Sequence, residues 1–210
     1  WLGKPELFLE CSGKNTAKKD CIKFLKNKTK TVIISATSWD AEKTLIYGFN
    51  HQEFKKKIKI ISYGSCTVNA FIPLGSFMEN NFGIIDADVN VVHNIQEYRL
   101  KDNITLNRKF CTLEKSGPQL LKSINKKNFK VNYTVVPYTG VSMIDFRFRL
   151  KKCPSINKLI NTLEKETKDG DLKGLYNIHE TDRGPKVHNC TPFSSVFIRE
   201  NFKIIKDQVY

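Results

Sequence analysis

Ser65-Cys66-Thr67-Val68-Asn69 stands where one kind of sequence gives way to another. Before it runs Ile58-Lys59-Ile60-Ile61-Ser62, short, β-branched and closed by Gly64, which predicts a strand; after it Ala70 to Glu79 is apolar at helical spacing. A strand that hands over to a helix puts Cys66 in the first helical turn. Unpaired backbone N–H groups and the positive end of the helix dipole favour a thiolate there, and a thiolate is the nucleophilic form of cysteine. The stretch therefore reads as a reactive cysteine on an α/β scaffold, although a free cysteine is also among the residues most often buried and inert.

A nucleophile of this kind works with a base. The chain has four histidines. His51 lies near the lysine run Lys55 to Lys57, and His179 and His188 lie in polar, turn-rich segments. His93 closes the apolar run Val89-Asn90-Val91-Val92, where a strand would hold it rigidly. A histidine in that place is equally what a satisfied core residue looks like. No aspartate or asparagine that would orient His93 can be singled out, which disfavours a thiol hydrolase.

The 210 residues are 40% hydrophobic, enough for one substantial core or a lobe and a half. The net charge of +14 comes from 35 Lys and Arg against 21 Asp and Glu. Such an excess can bind nucleic acid or another anion. Here it lies in short scattered clusters, Lys18-Lys19, Lys55 to Lys57, Lys126-Lys127 and Lys151-Lys152, with no RNA-recognition signature or zinc-finger spacing, so a solvated lysine-rich surface explains it without nucleic acid or metal. Six cysteines without a close CxxC pair or a signal peptide predict reduced thiols in the cytoplasm. No apolar run approaches the roughly 18 residues of a membrane span.

Periodicity predicts strands at Leu7 to Glu10, Val32 to Ser35 and Ile58 to Ser62, with a helix at Ala17 to Asn27 between the first two. From Cys66 come a helix, strands at Ile84 to His93, Lys130 to Pro137 and Val141 to Leu150, a helix at Ser155 to Lys168, and late strands at Ser194 to Ile198 and Phe202 to Ile205. Phe146, Phe148 and Leu150 alternate with Asp145, Arg147 and Arg149, giving that strand one buried and one wet face.

Taken together the motifs resemble the glyceraldehyde-3-phosphate dehydrogenase family. Ser65-Cys66-Thr67-Val68-Asn69 with His93 downstream is similar to its catalytic core, and further segments match in order. Leu7-Phe8-Leu9-Glu10-Cys11-Ser12-Gly13 resembles a strand ending in Glu-Ser-Thr-Gly, Val32-Ile33-Ile34-Ser35-Ala36 a Val-Ile-Ile-Ser-Ala strand, and Gly48-Phe49-Asn50-His51 a Gly-Val-Asn-His turn. Val136-Pro137 with Val141-Ser142-Met143-Ile144-Asp145, and Phe193-Ser194-Ser195-Val196-Phe197, continue the agreement.

The resemblance implies an α+β fold: a catalytic domain at 65–210, with a largely antiparallel sheet and helices on one side, preceded at 1–64 by part of an α/β Rossmann lobe. It implies that Cys66 attacks an aldehyde to give a thiohemiacetal and then a thioester, and that His93 accepts the hydroxyl proton and lowers the thiol pKa. Hydride would pass to NAD or NADP, with Ser12, Gly13 and Ser35 on the cofactor. Ser65, Thr67, Gln96, Ser116 and Gly117 would hold inorganic phosphate and the aldehyde, phosphorylated or not, in a homotetrameric, cytoplasmic enzyme.

Three departures qualify it. The Gly-x-Gly-x-x-Gly fingerprint of dinucleotide binding is missing from the chain, which suggests a fragment or truncated relative. Val135 occupies the place of a phosphate-binding arginine, and Gln96 that of a threonine, so recognition of a triose phosphate should be weakened unless Arg99 or Arg108 restores the charge. The alternative is a relative without turnover that serves as an interaction or nucleic-acid-binding protein.

Overall fold

A computed structural model describes residues 3–95, 98 and 106–210. They fall into two compact units, Trp1–Asn69 and Ala70–Tyr210.

The first unit is built on a parallel sheet of β1 (Leu7–Glu10), β2 (Thr31–Ile34), β3 (Lys43–Thr44) and β4 (Ile60–Ser62), in the order β1-β2-β4-β3. Val32, Ile34 and Ile60 are fully buried with Cys21, and Phe8, Phe24, Leu25, Ala36 and Ala41 close over them. Phe8 and Phe24 stack with ring centroids 4.3 Å apart. Parallel strands buried on both sides read as continuous apolar runs, as Ile60-Ile61 of β4 does.

The helix expected over Ala17 to Asn27 is shorter. It consists of α1 (Lys18–Cys21) and a 3-10 turn, Ile22–Phe24. Only Cys21, Phe24 and Leu25 offer apolar groups to the core, so nothing rewards propagation into Lys26-Asn27-Lys28, and Asn27 takes a left-handed φ of 56°.

The unit boundary falls inside α2 (Cys66–Phe82). The second unit continues with β5 (Ile84–His93), β6 (Asn107–Arg108), α3 (Thr112–Leu120), β7 (Phe129–Val135), β8 (Met143–Leu150), α4 (Ile156–Asp169), β9 (Tyr176–His179), β10 (Ser195–Ile198), β11 (Ile204–Ile205) and β12 (Gln208–Val209). Six strands form a mixed sheet ordered β11-β12-β8-β5-β7-β6, in which β5 and β7 are parallel and the other four pairings antiparallel. β9 and β10 make a separate parallel pair.

Register divides the six-stranded sheet into two chemical faces. Ala87 pairs with Phe129 and Phe148, Val89 with Val131 and Phe146, and Val91 with Tyr133 and Ile144. Phe71 of α2 lies on this apolar face, its ring 5.6 Å from Phe148 and 5.1 Å from Phe129. α3 covers the same face, because a Cβ on Gly117 would lie 3.0 Å from the Phe129 ring. The other face is ionic: Arg147 pairs with Asp86 at 2.9 Å and with Asp88, and Arg149 with Asp86 at 2.6 Å.

Pro73 sits inside α2, where it lacks the N–H a helix needs. One residue on, the buried hydroxyl of Tyr176 enters the helix, donating to Ala70 O at 2.9 Å and accepting from Leu74 N at 3.1 Å. It thus satisfies a C=O and an N–H that would ordinarily bond each other. At α4 the sequence carries its own start signal, with Ser155 as cap accepting from Lys158 N at 3.3 Å. No helix among the described residues is long and apolar enough to cross a membrane.

Candidate active site

In a parallel sheet the strands all point one way, so the loops leaving their carboxyl ends gather at one edge, and ligands bind in the crevice there. The first unit brings Ser12 and Gly13 after β1, Ser35 after β2 and Ser65-Cys66-Thr67 after β4 to that edge.

Cys66 opens α2. Gly64 makes the turn possible, with φ +77° and with Ile46 and Val68 so close that a Cβ would lie 2.9 Å from Ile46 Cδ1. Ser65 caps the helix, its Oγ accepting from Val68 N at 3.3 Å and lying 3.0 Å from Thr67 Oγ1. Asn69 folds its amide back onto Tyr63 O and Ser65 O, both at 2.9 Å. Thr67 is 2% exposed, whereas Cys66 keeps contact with solvent.

The sulfur of Cys66 accepts from the backbone N–H groups of Thr67 and of Cys66 itself. These donors favour the thiolate, as expected of a helix start. Desolvation by the crowded surroundings outweighs them and raises the thiol pKa, contrary to the depressed value that position alone suggests. Open access at one side and protein packed round the rest of the sulfur account for both observations.

Glu10, the last residue of β1, organises the loop beside Ser12 and Gly13. Its carboxylate is 5% exposed and accepts from Ser12 N at 2.8 Å, Asn15 Nδ2 at 3.0 Å and the Ser12 hydroxyl. Burial opposes its charge, yet the hydrogen bonds from Ser12 and Asn15 hold its pKa below the ordinary carboxylate value. Asn15 is fixed in turn by Lys23 Nζ at 2.8 Å. Glu10 was not singled out from the sequence, because its burial is set by the fold and not by local pattern.

These residues fit one end of a dinucleotide better than the whole of it. Gly13, with φ +70° and nothing within 4 Å of a Cβ, leaves open backbone beside exposed Ser12 and Ser35. The four-residue α1 is too short to cradle a pyrophosphate, and its Lys18 N–H is already taken by Asp40 Oδ1 at 2.9 Å.

His93, in the second unit, ends β5. Its Nδ1 lies 2.6 Å from the carbonyl oxygen of Asn94. A carbonyl only accepts, so Nδ1 carries the proton and Nε2 has the lone pair a base needs. The orienting group that the sequence did not reveal is therefore main chain. The Tyr133 ring lies 5.3 Å from the imidazole, and Ser142 Oγ donates to Asn94 Oδ1 at 3.0 Å.

Gln96 and Arg99 lie outside the described residues. Ser116 and Gly117 are buried in α3, where Gly117 permits the approach to Phe129.

No family model matches the chain. The cytosolic glyceraldehyde-3-phosphate dehydrogenase of Dianthus caryophyllus is 30% identical over 188 residues, covering 83% of this chain and 55% of that protein. The cytosolic enzyme of Pisum sativum is 30% identical over 191 residues (84% and 56%), and the muscle enzyme of Jaculus orientalis 30% over 205 residues (91% and 56%). The chain belongs to the glyceraldehyde-3-phosphate dehydrogenase family. It spans about half the length of the curated relatives it matches.

In this member of the glyceraldehyde-3-phosphate dehydrogenase family the cations of the six-stranded sheet are distributed unevenly. Among the described residues of its strands, Lys130, Arg147, Arg149 and Arg108 all fall on the ionic face, in register with Asp88, Asp86 and Thr134. His93 stands on the other face, opposite Val135. Arg108, whose Nη1 reaches Asn132 Oδ1 at 3.4 Å, therefore stands on the face away from His93.

Proposed function

We propose that this chain is the cysteine-bearing part of an NAD- or NADP-dependent dehydrogenase that oxidises an aldehyde through a thioester on Cys66. The observation that carries the reading is Cys66 at the start of α2, with two backbone N–H groups on its sulfur. The Cys66 thiolate attacks the aldehyde carbon, forming a C–S bond as the carbonyl π bond breaks and its oxygen takes up the proton that the thiol gave up on ionising. His93 Nε2 then accepts the hydroxyl proton while the carbon loses its hydride. A nicotinamide, when bound, supplies the hydride acceptor, and Ser12, Gly13 and Ser35 would hold that end of it. The N–H groups of Cys66 and Thr67 favour negative charge at the reacting centre. Inorganic phosphate, held by Ser65 and Thr67, attacks the resulting thioester, so that an acyl phosphate forms and the Cys66 thiolate leaves.

An arrangement of the catalytic domain like that of glyceraldehyde-3-phosphate dehydrogenases, a homotetramer and a cytoplasmic setting belong to the same proposal. The test is to supply glyceraldehyde 3-phosphate, NAD and phosphate, follow the absorbance of reduced nicotinamide, and weigh the Cys66 peptide for an acyl adduct. Both signals should vanish in Cys66→Ser. Wild-type protein that gives neither would overturn the reading in favour of an interaction role.

A further inference from the structure

We propose that His179 and His188 together form a binding site for a divalent transition-metal ion of the kind that prefers imidazole, such as nickel or zinc. The inference stands apart from the dehydrogenase reading and from Cys66.

The sequence places the two histidines in polar, turn-rich segments with Glu180 to Val187 between them. The fold brings their rings together, with centroids 5.0 Å apart and planes inclined at 54°. His179 closes β9 in register with Ile198 of β10, and His188 ends the 3-10 turn Pro185–His188. The main chain between them is held at several points. Asp182 N donates to Glu200 Oε1 at 2.6 Å and Gly184 N to Asp182 Oδ1 at 2.7 Å, and Gly184, with φ +75°, turns the chain into Pro185. Fixed backbone thus presents both imidazoles, and both are half-buried, open enough for an ion to reach them.

Spacing decides what the pair can hold. A divalent ion takes imidazole nitrogens at about 2.0–2.1 Å, so two rings that share one ion at a right or tetrahedral angle stand with centroids roughly 4.5–5.2 Å apart. The observed separation falls within that range. The other two histidines are committed elsewhere: His51 Nδ1 accepts from Gly48 N at 3.0 Å, and His93 Nδ1 lies 2.6 Å from the Asn94 carbonyl. Among the described residues no hydrogen bond reaches the ring of His179 or His188, so each keeps a nitrogen for a ligand. Charge does not bar a cation here, because Glu180, Asp182 and Glu200 offset Arg183, Lys186 and Arg199 locally despite the +14 of the whole chain. No group of three or more His, Cys, Asp and Glu among the described residues forms a closed site. Water would complete the coordination shell, which makes the site open and exchangeable. Imidazole with water suits nickel or zinc, whereas magnesium and calcium take oxygen ligands.

Nickel is the better probe, since zinc also seeks thiolates and the chain has six cysteines. Nickel chloride is titrated into the full chain while the ring protons of all four histidines are followed by NMR, where the paramagnetic ion broadens what it binds. The expected result is one saturable step in which His179 and His188 broaden together while His51 and His93 stay sharp. In His179→Gln the remaining His188 should bind nickel about a hundred-fold more weakly, the usual loss when two linked contacts become one, and His188→Gln should do the same to His179. Cys190→Ser should change nothing. Parallel broadening of all four rings, broadening of one of the pair alone, or no broadening would each overturn the proposal. So would single variants that bind as tightly as wild type, or loss of binding in Cys190→Ser, which would assign the ion to a thiol. None of these readouts involves aldehyde oxidation, so the dehydrogenase reading stands or falls separately.

Discussion

His93 and Val135 close β5 and β7 as a register pair, so the imidazole has an isopropyl group as its parallel-strand neighbour. Val135 is 7% exposed. Val135→Arg would place a guanidinium beside His93 at a site with little water. The expected outcome is a Michaelis constant for glyceraldehyde 3-phosphate lowered about tenfold by one added charge-assisted contact. A stability loss of roughly 0.5–3 kcal/mol, typical of a destabilising core change, should accompany it. Steady-state kinetics and a melting curve on the same sample check both.

The hydrogen bond that Nδ1 donates to the Asn94 carbonyl leaves His93 Nε2 as the basic nitrogen. His93→Asn should therefore lower aldehyde oxidation by about 10²–10⁴, the usual worth of a positioned base. The melting temperature should hardly move, since the half-exposed ring sits at a strand end. An unaltered rate in an active sample would remove His93 from the mechanism.

For Cys66 the direction of the pKa shift sets the pH dependence. A raised thiol pKa means less thiolate at neutral pH, so iodoacetamide labelling of Cys66 should climb through a midpoint above that of a free cysteine peptide under the same conditions. Selectivity over buried Cys21 and Cys111 should come from access. Peptide mapping against pH measures both, and a midpoint below that of the free peptide would contradict the desolvation seen around the sulfur.

Glu10 should tie stability to acid. Its native pKa lies below that of the unfolded chain, so its contribution is present above the unfolded value and fades as pH falls through the folded one. Glu10→Gln should cost about 1.5–3 kcal/mol at pH 7, the scale of hydrogen bonds to a charged group. Urea titrations should show the gap between mutant and wild type closing in acid.

How much of this was legible from sequence depended on whether local pattern and tertiary contact agreed. β5 was read at its observed limits, Ile84 to His93, because alternation and β-branching say the same thing there. α4 was readable from Pro154-Ser155 and an apolar stripe. α3 was not, since Ser116-Gly117-Pro118 looks like a turn, and it is helix where Gly117 lies close to Phe129, Ile124 and Leu113 and Leu113 is buried. The two residues of β6 carry no pattern of their own. The placing of Asn107 and Arg108 on opposite faces of the sheet follows only from pairing with β7. Cys66 and His93 were visible as types in suggestive places, but the thiol's desolvation and the carbonyl on Nδ1 depend on neighbours that spacing does not encode.

Tyr176 affords the last test, because one atom separates two outcomes. Its hydroxyl bridges Ala70 O and Leu74 N beside Pro73, and burial pushes its pKa well above the ordinary phenol value. Tyr176→Phe keeps the ring's packing and removes the bridge. Both main-chain groups are then buried without the partner that held them apart, at a cost of about 1–3 kcal/mol. For a two-state unit of this size the melting temperature should fall by several degrees. Amide exchange should speed up at Leu74, whose N–H loses its acceptor, more than at Phe77 or Met78 further along α2. A uniform rise along the helix would mean that the ring rather than the hydroxyl secures this turn.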